Sequence, residues 1–225
     1  MIKRLYVDNF KCLQKFEVNL ENLNSAFLLG KNGSGKSTVF EVIEFFQKIG
    51  QGNTNLVDLI DENSFIFNDV NKSISLELEV EIDKRCFVYN LIIEFPKNFN
   101  AARIKKETLQ IDKEILLKRE GGQTTYKSNA HFLLDWHHIG LPLVSTQSHN
   151  DPIVIFKDWL KSIIIVAPYP KQFLNISKIE SLREDGIQLE IRSCTVGEES
   201  KPCVRVMKEQ CNYGKNHDLC VIDPI

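Results

Sequence analysis

Apolar and polar residues alternate along several short stretches, which is the period of a β-strand with one buried face. In SISLELEVEI the apolar face consists of Ile74, Leu76, Leu78, Val80 and Ile82. A second strand, CFVYNLIIEF, follows a turn at 83–85, and KKETLQI and ILLKRE predict a further hairpin around Asp112 and Lys113. We therefore predict an antiparallel β-meander over about residues 73–120.

The N-terminal part of the chain predicts three strands and one helix. Alternation in IKRLYVDNF and FEVNL predicts two strands, and SAFLLG predicts a short, fully buried strand that ends at a glycine. STVFEVIEFFQKIG has the spacing of a helix whose buried stripe consists of Val39, Val42, Ile43 and Phe46. We expect Gly50 and Gly52 to end this helix.

Helical patterns follow the meander. AHFLLDWHHIGLPLV and IVIFKDWLKSI predict a helical segment over about residues 128–162, and IIIVAPYP predicts a short buried strand after it. Beyond this point the chain loses long-range periodicity and becomes rich in cysteine. We interpret residues 1–185 as one domain and 186–225 as an atypical cysteine-rich tail, whose lack of a C-x-x-C pair is not typical of a structural zinc site.

The composition is that of an ordinary globular protein. Of the 225 residues 43% are hydrophobic and 26% are charged, and the net charge of −2 gives no global field that favours nucleic acid or an anionic membrane. No apolar run approaches the length of a membrane span, and the N-terminus lacks a secretory apolar region. We therefore expect a cytoplasmic chain with reduced thiols and no membrane partner.

One segment, FLLGKNGSGKST, fits G-x-x-x-x-G-K-[ST], the pattern of a phosphate-binding P-loop. Its glycines let backbone N–H groups approach phosphate oxygens, and the N-terminus of the following helix favours an anion. We expect Lys36 to reach the β- and γ-phosphates of ATP as the catalytic cation, and the Ser37 hydroxyl to ligate Mg²⁺. The predicted ATP-binding residues here are Gly30, Lys31, Asn32, Gly33, Ser34, Gly35, Lys36, Ser37 and Thr38.

The sequence GKNGSGKST, with Asn32 ahead of Gly-Ser-Gly, resembles the RecF, SMC and ABC-type branch of P-loop ATPases. The opening IKRLYVDNFKCLQKFEVNL is similar to the N-terminal strand pair of RecF-like proteins, with Asn9, Phe10 and Lys11 at the Asn-Phe-(Lys/Arg) element. The subgroup it resembles most is the bacterial AAA-type ATPases with an SMC-like head, several of which serve in phage defence. This resemblance is sharp over about residues 1–50, architectural to about 185 and absent beyond.

The resemblance implies an α/β fold in which a P-loop NTPase core carries an antiparallel β-meander sub-lobe. It also implies a head that binds ATP and Mg²⁺, forms a homodimer through its ATP-bound heads, and acts on DNA or on an effector protein. A glutamine loop is part of the same expectation. Gln147 is the candidate for that loop and a further ATP-binding residue, and a surface polar residue is the alternative interpretation.

Two motifs of that family are not found in the sequence, namely the signature motif and a Walker B strand that ends in two acids. Asp58 interrupts the apolar run of LVDLIDE, and proline follows Asp223 in CVIDPI. The missing motifs and the cysteine-rich tail lead us to expect a truncated head. Because the second Walker B acid polarises the attacking water, we also expect impaired ATP hydrolysis. A nucleotide-binding module without turnover is an alternative function, and a small-molecule P-loop kinase is a third.

Two other groups of residues have candidate chemistry. His137 and His138 are adjacent on a predicted helix, so they face different directions and are not expected to share a metal ion. Arg103, Lys105 and Lys106 form a basic cluster that either contacts a nucleic-acid backbone or is a solvated face.

Overall fold

A computed structural model of the chain describes residues 1–23, 25–66, 69–97, 99, 101–127, 129–146, 148, 150–166, 205–207 and 220–222. In chain order the elements are β1 (Ile2–Asp8), β2 (Phe16–Asn19), β3 (Phe27–Leu29), α1 (Lys36–Gly50), β4 (Ile74–Ile82), β5 (Arg85–Glu94), β6 (Arg103–Ile111), β7 (Glu114–Glu120), β8 (Gln123–Tyr126), β9 (Ala130–Leu133), α2 (Gly140–Leu143), α3 (Pro152–Lys161), β10 (Ile164–Val166), β11 (Arg205–Met207) and β12 (Cys220–Ile222). Two short 3₁₀ turns, Leu56–Asp58 and Glu62–Ser64, lie between α1 and β4.

Eight strands form one antiparallel sheet in the order β2-β1-β4-β5-β6-β7-β8-β9. Strands β4 to β7 occupy the stretch in which alternation predicts a meander, and every apolar residue of the β4 face is buried. The β4–β5 connection places Asp83 and Lys84 at φ angles of 51° and 64°. The β6–β7 connection does the same with Asp112 and Lys113, at 47° and 75°. These left-handed pairs are typical of two-residue hairpins, which fix the register of the strands on either side.

The sheet continues beyond the predicted meander through β8 and β9. These two strands pair from Gln123↔Leu133 to Tyr126↔Ala130, so residues 130–133 are a strand and not the predicted helix. Among the described residues after β9, the helices are α2 and α3. The local pattern of apolar residues fits both periods, and β8 supplies the backbone partners that decide for a strand.

The helices α1 and α3 pack together on one face of the sheet. The α1 stripe predicted from the sequence is buried, and Phe46 makes an edge-to-face contact with Tyr89 of β5 at 5.9 Å between ring centroids. Phe156 of α3 stacks on Phe87 of the same strand at 5.6 Å. The two helices approach closely at Gly50, where an added Cβ would lie 2.5 Å from the Cβ of Leu160. The core therefore ties the helix that follows the glycine loop to the centre of the sheet.

Strand β3 lies outside the eight-stranded sheet and is not buried as predicted. Phe27 is 51% exposed and Leu29 is 39% exposed, and β3 pairs in antiparallel fashion with β12. The strand β10, also predicted to be buried, pairs in parallel with β11 and leaves Ile164 41% exposed. Apolar composition predicts burial only if other elements cover both faces, and no described element covers these side chains fully.

No helix among the described residues is long and apolar enough to cross a membrane. The predicted domain boundary at residue 185 and Cys194, Cys203 and Cys211 of the tail lie outside the described residues.

Candidate functional site

The glycine loop joins β3 to the N-terminus of α1 in the order that the sequence predicts. Gly33 and Gly35 have φ angles of 83° and 94°, in the left-handed region that glycine adopts without a steric penalty. An added Cβ at Gly33 would meet no atom within 4 Å, so this residue faces open space. Gly35 is the residue before the first turn of α1, and its carbonyl accepts a hydrogen bond from the N–H of Val39 at 3.0 Å. The N-terminus of α1 thus follows a loop that is open to solvent at Gly33.

The β1–β2 connection supports the other side of Gly35. An added Cβ there would lie 2.7 Å from Cδ2 of Leu13 and 3.2 Å from Sγ of Cys12. The thiol of Cys12 is also within 3.4 Å of Oγ1 of Thr38, in the first turn of α1. Motif analysis misses Cys12 and Leu13 because they precede the glycine loop by about twenty residues. The Asn-Phe-Lys element directly before them is the sequence signal that could have identified this connection.

The ammonium group of Lys36 folds back over the loop. Its Nζ donates to the carbonyl oxygen of Gly30 at 2.6 Å and to that of Lys31 at 2.7 Å. A lysine ammonium has three N–H donors, so these two bonds leave a third for another acceptor. Lys36 therefore connects the two ends of the glycine loop. Its third N–H remains available to an anion bound at the loop.

Three other residues of the glycine loop, Ser34, Ser37 and Thr38, carry hydroxyl groups. The Ser34 hydroxyl is buried without a hydrogen-bond partner, which is unusual for a buried polar group. The side chain of Ser37 is exposed in the first turn of α1, whereas Thr38 is only 8% exposed. Because the first N–H groups of a helix lack partners within the helix, this end of α1 carries free donors and a partial positive charge. These features fit a bound polyphosphate with a cation at Ser37.

The Asn-Phe-Lys element lies in a backbone turn with two left-handed residues, Asn9 at φ 59° and Lys11 at φ 50°. The Asn9 side chain donates to the carbonyl of Ser73 at 3.1 Å, and Phe10 is only 4% exposed. The ammonium of Lys11 makes an ion pair with Glu41 of α1 at 2.6 Å. Phe10 and Asn9 therefore join this element to the body of the fold, and Lys11 links it to α1 by an exposed ion pair.

The described acidic candidates for Walker B lie in the connection between α1 and β4. Ser64 donates a hydrogen bond of 2.7 Å to Asp61 and thereby holds the pKa of that carboxyl below its ordinary value, while Glu62 is exposed. The segment that contains them forms a groove with α1 residues between Glu41 and Lys48, along the side of the helix. Asp58 is exposed as well. Asp223 and the glutamine-loop candidate Gln147 lie outside the described residues.

The two adjacent histidines have separate hydrogen-bond partners. His137 and His138 lie in a turn and not in the predicted helix, and their Nδ1 atoms contact the Ala102 carbonyl at 2.8 Å and the Thr54 hydroxyl at 3.5 Å. Within the described part of the chain, no group of three or more histidine, cysteine or acidic side chains is arranged to hold a metal ion.

Glu107 of β6 and Arg119 of β7 form a buried ionic cluster that the sequence analysis did not predict. Glu107 and Arg119 are fully buried, and Glu107 accepts hydrogen bonds from the Tyr89 hydroxyl and from the N–H groups of Gly140 and Leu141 at 2.7–2.8 Å. Arg119 donates to the carbonyl oxygens of residues 121, 135 and 138. Burial raises the pKa of Glu107 and lowers that of Arg119. No local pattern marks these residues, because their partners are distant in sequence.

Backbone hydrogen bonds connect the segment that the Glu107–Arg119 cluster binds to the chain directly after α1. Glu107 and Arg119 hydrogen-bond to the backbone of residues 135–141. Within that segment, the His137 carbonyl accepts from the N–H of Leu56 at 2.8 Å, and the N–H of Ile139 donates to the Thr54 carbonyl at 2.7 Å. The cluster is therefore a structural support for the C-terminal end of the helix that the glycine loop begins.

Comparison with known protein families gives one result that agrees with this geometry. Residues 1–139 match the family model described as AAA ATPase domain, and the match includes the glycine loop, α1 and all eight strands of the large sheet. A search of curated proteins found no match. Since the matched segment is more than half of the 225 residues, the chain belongs to the AAA ATPase domain family.

Proposed function

We propose that the chain is an ATP-binding head of the RecF/SMC-like type, which holds the β- and γ-phosphates of Mg-ATP in the loop at residues 30–38. The observation that carries this proposal is the position of Lys36, whose ammonium is fixed by two loop carbonyls at the N-terminus of α1. A cation there, beside the free N–H groups of a helix end, is suited to a polyphosphate.

Each loop residue has a distinct role in this proposal. Lys36 directs its remaining N–H toward a phosphate oxygen, and the exposed Ser37 hydroxyl offers one oxygen ligand to Mg²⁺. Gly33 lets the phosphate chain approach the backbone, because nothing occupies the space where a Cβ would stand. Bound Mg²⁺ supplies charge neutralisation for the phosphate oxygens.

The family resemblance and the AAA ATPase match support a head that pairs with a second copy when ATP is bound. Under this proposal the paired heads act on nucleic acid or on an effector protein, and the pathway is phage defence or DNA repair. These points rest on analogy with the family and not on a described interface.

A second candidate function is nucleotide binding without turnover. It is supported by the sequence, in which no Walker B strand that ends in two acids is found. Hydrolysis of the γ-phosphate needs a group that orients the attacking water, whereas the Asp61 carboxylate is hydrogen-bonded to Ser64 next to a short 3₁₀ turn.

Phosphate release and molecular mass measured with Mg-ATP distinguish the two candidates. A working head should release phosphate and show a mass increase with ATP that Lys36→Ala removes. Lys48→Ala is the matched control, because Lys48 is on the same helix and makes only an exposed ion pair with Glu44 at 3.1 Å. Binding of ATP with neither release nor pairing would favour the second candidate, and unchanged behaviour of Lys36→Ala would contradict both.

A further inference from the structure

Two aromatic side chains are exposed at the end of the large sheet, on either side of an arginine. Phe99 is 53% exposed and Trp136 is 44% exposed. The guanidinium carbon of Arg103 lies 4.2 Å from the Trp136 ring centroid and 5.7 Å from that of Phe99. We call the surface of Phe99, Arg103, Lys105 and Trp136 the aromatic–basic patch. Exposed aromatic rings at this density are a feature of binding surfaces more than of solvated ones.

The patch is held in place by contacts that do not involve a ligand. Arg103 makes an ion pair with Glu94 at 2.7 Å, and the N–H of Ile104 donates to the Trp136 carbonyl at 2.9 Å. The backbone of Gly122 passes so close to Trp136 that an added Cβ would lie 3.0 Å from Nε1 of the indole. Arg103 and Trp136 are thus held in position by contacts within the protein, which lowers the entropic cost of binding at these two residues.

The charges around the patch favour an anionic partner. Residues 95–106 contain Lys97, Arg103, Lys105 and Lys106 and no acidic residue, in a chain whose net charge is −2. Among the described acidic residues, Glu94 lies opposite Arg103, Glu120 lies opposite Lys106, and Asp135 precedes Trp136. Each of them already has a partner, since Glu94 pairs with Arg103, Asp135 accepts from the His137 N–H, and Glu120 pairs with Lys118. Lys105 makes a second ion pair with Glu94 at 3.5 Å, and its side chain is 57% exposed, so it is accessible to a phosphate.

We propose that the aromatic–basic patch binds single-stranded nucleic acid. Unpaired bases stack on exposed aromatic rings, and lysine side chains contact the phosphates between them. A duplex is a poorer fit, because its base faces are covered by stacking within the helix. This inference deepens the proposed action on nucleic acid, but the patch does not include the glycine loop, so its binding does not require ATP.

The two tryptophans of the chain provide a direct measurement. Trp159 is only 6% exposed, whereas Trp136 is in the patch, so a ligand that stacks there should quench the fluorescence of Trp136 selectively. We would titrate the full chain, without nucleotide, with single-stranded oligothymidylate of about 16 nucleotides. Saturable quenching that weakens as salt rises is the expected result.

Two exposed substitutions test which residues are responsible. Phe99→Ala should weaken binding about tenfold, since a stacked base is lost. Lys105→Ala should reduce the slope of log affinity against log salt by about 0.7, the value for one phosphate contact to a single strand. Lys48→Ala removes an exposed ammonium that pairs with Glu44 and is not part of the patch, so it should change neither quantity.

Four outcomes would overturn the proposal: no quenching, equal affinity for the Phe99→Ala variant, equal binding of a matched duplex, or equal binding of polyglutamate, which would indicate a general anion or acidic-protein surface. Quenching that depends on protein concentration alone would indicate self-association and would also overturn it. Because the titration contains no ATP, a failure of ATP binding at Lys36 does not affect its result.

Discussion

The Nζ atom of Lys36 lies 2.6 Å from the carbonyl oxygen of Gly30, the residue directly after β3 at which the glycine loop begins. The lysine at the start of α1 is therefore bonded to the other end of the loop. Its charge and the shape of the loop depend on each other, so a change at Lys36 affects both phosphate attraction and loop geometry.

Gly35→Ala should be more damaging than Gly33→Ala. Both residues have positive φ angles, which disfavour a Cβ by about 1–2 kcal/mol. Only at Gly35 would the new Cβ also clash with the Leu13 side chain, at 2.7 Å, and overpacking adds about 1–3 kcal/mol. Urea unfolding of the two variants measures the difference. Equal losses in the free energy of unfolding would show that the β1–β2 connection does not support the loop.

Arg119→Met should cost about 3–5 kcal/mol of the free energy of unfolding, because it leaves the buried carboxylate of Glu107 without its cation. The control is Arg85→Met, since Arg85 makes an exposed ion pair with Asp112 that is worth about 0–1 kcal/mol. Denaturant unfolding provides the comparison. If both substitutions cost the same small amount, the buried cluster does not stabilise the segment at residues 135–141.

Asp151 should make the protein less stable in acid. Burial raises the pKa of Asp151, but hydrogen bonds from Lys127, Tyr126 and the Ile153 N–H outweigh burial and hold the pKa below its ordinary value. A lowered pKa in the folded state means that this carboxylate stabilises the fold above the unfolded value of about 3.9 and loses that contribution as the pH falls through the folded value. Unfolding measured against pH should show a smaller acid-dependent loss for Asp151→Asn. An identical pH profile would contradict this account.

Cys12 should react with a thiol reagent faster than Cys86. Burial, followed by the neighbouring Glu79, raises the pKa of Cys86 to about 11, so little of its reactive thiolate forms at neutral pH. Cys12 is exposed. Peptide mapping after brief treatment with iodoacetamide measures the two rates separately from those of the other cysteines. Faster labelling of Cys86 would be the contrary result.

Patterns that are local and regular were predictable from the sequence. The alternation in β4 and the spacing in α1 each specify one buried face, and the structure buries those faces. The order of strand, glycine loop and helix at residues 27–50 was likewise readable, because that motif is contiguous.

Features that depend on distant partners were not predictable. Residues 130–133 have an apolar pattern that suits a helix, and pairing with β8 makes them a strand. The burial of Glu107 depends on Arg119, Tyr89 and the start of α2, none of which is near it in sequence. The exposure of Phe27 shows that an apolar run alone does not determine what covers a strand.

The most direct test of the central claim is a calorimetric titration of the chain with ATP, ADP and AMP in the presence of Mg²⁺. If Lys36 holds the β- and γ-phosphates, ATP should bind most tightly, AMP should bind weakly or not at all, and Lys36→Ala should lose ATP binding while Lys48→Ala retains it. Equal affinity for ATP and AMP, or undiminished ATP binding by a folded Lys36→Ala variant, would contradict the assignment of the glycine loop as the nucleotide site.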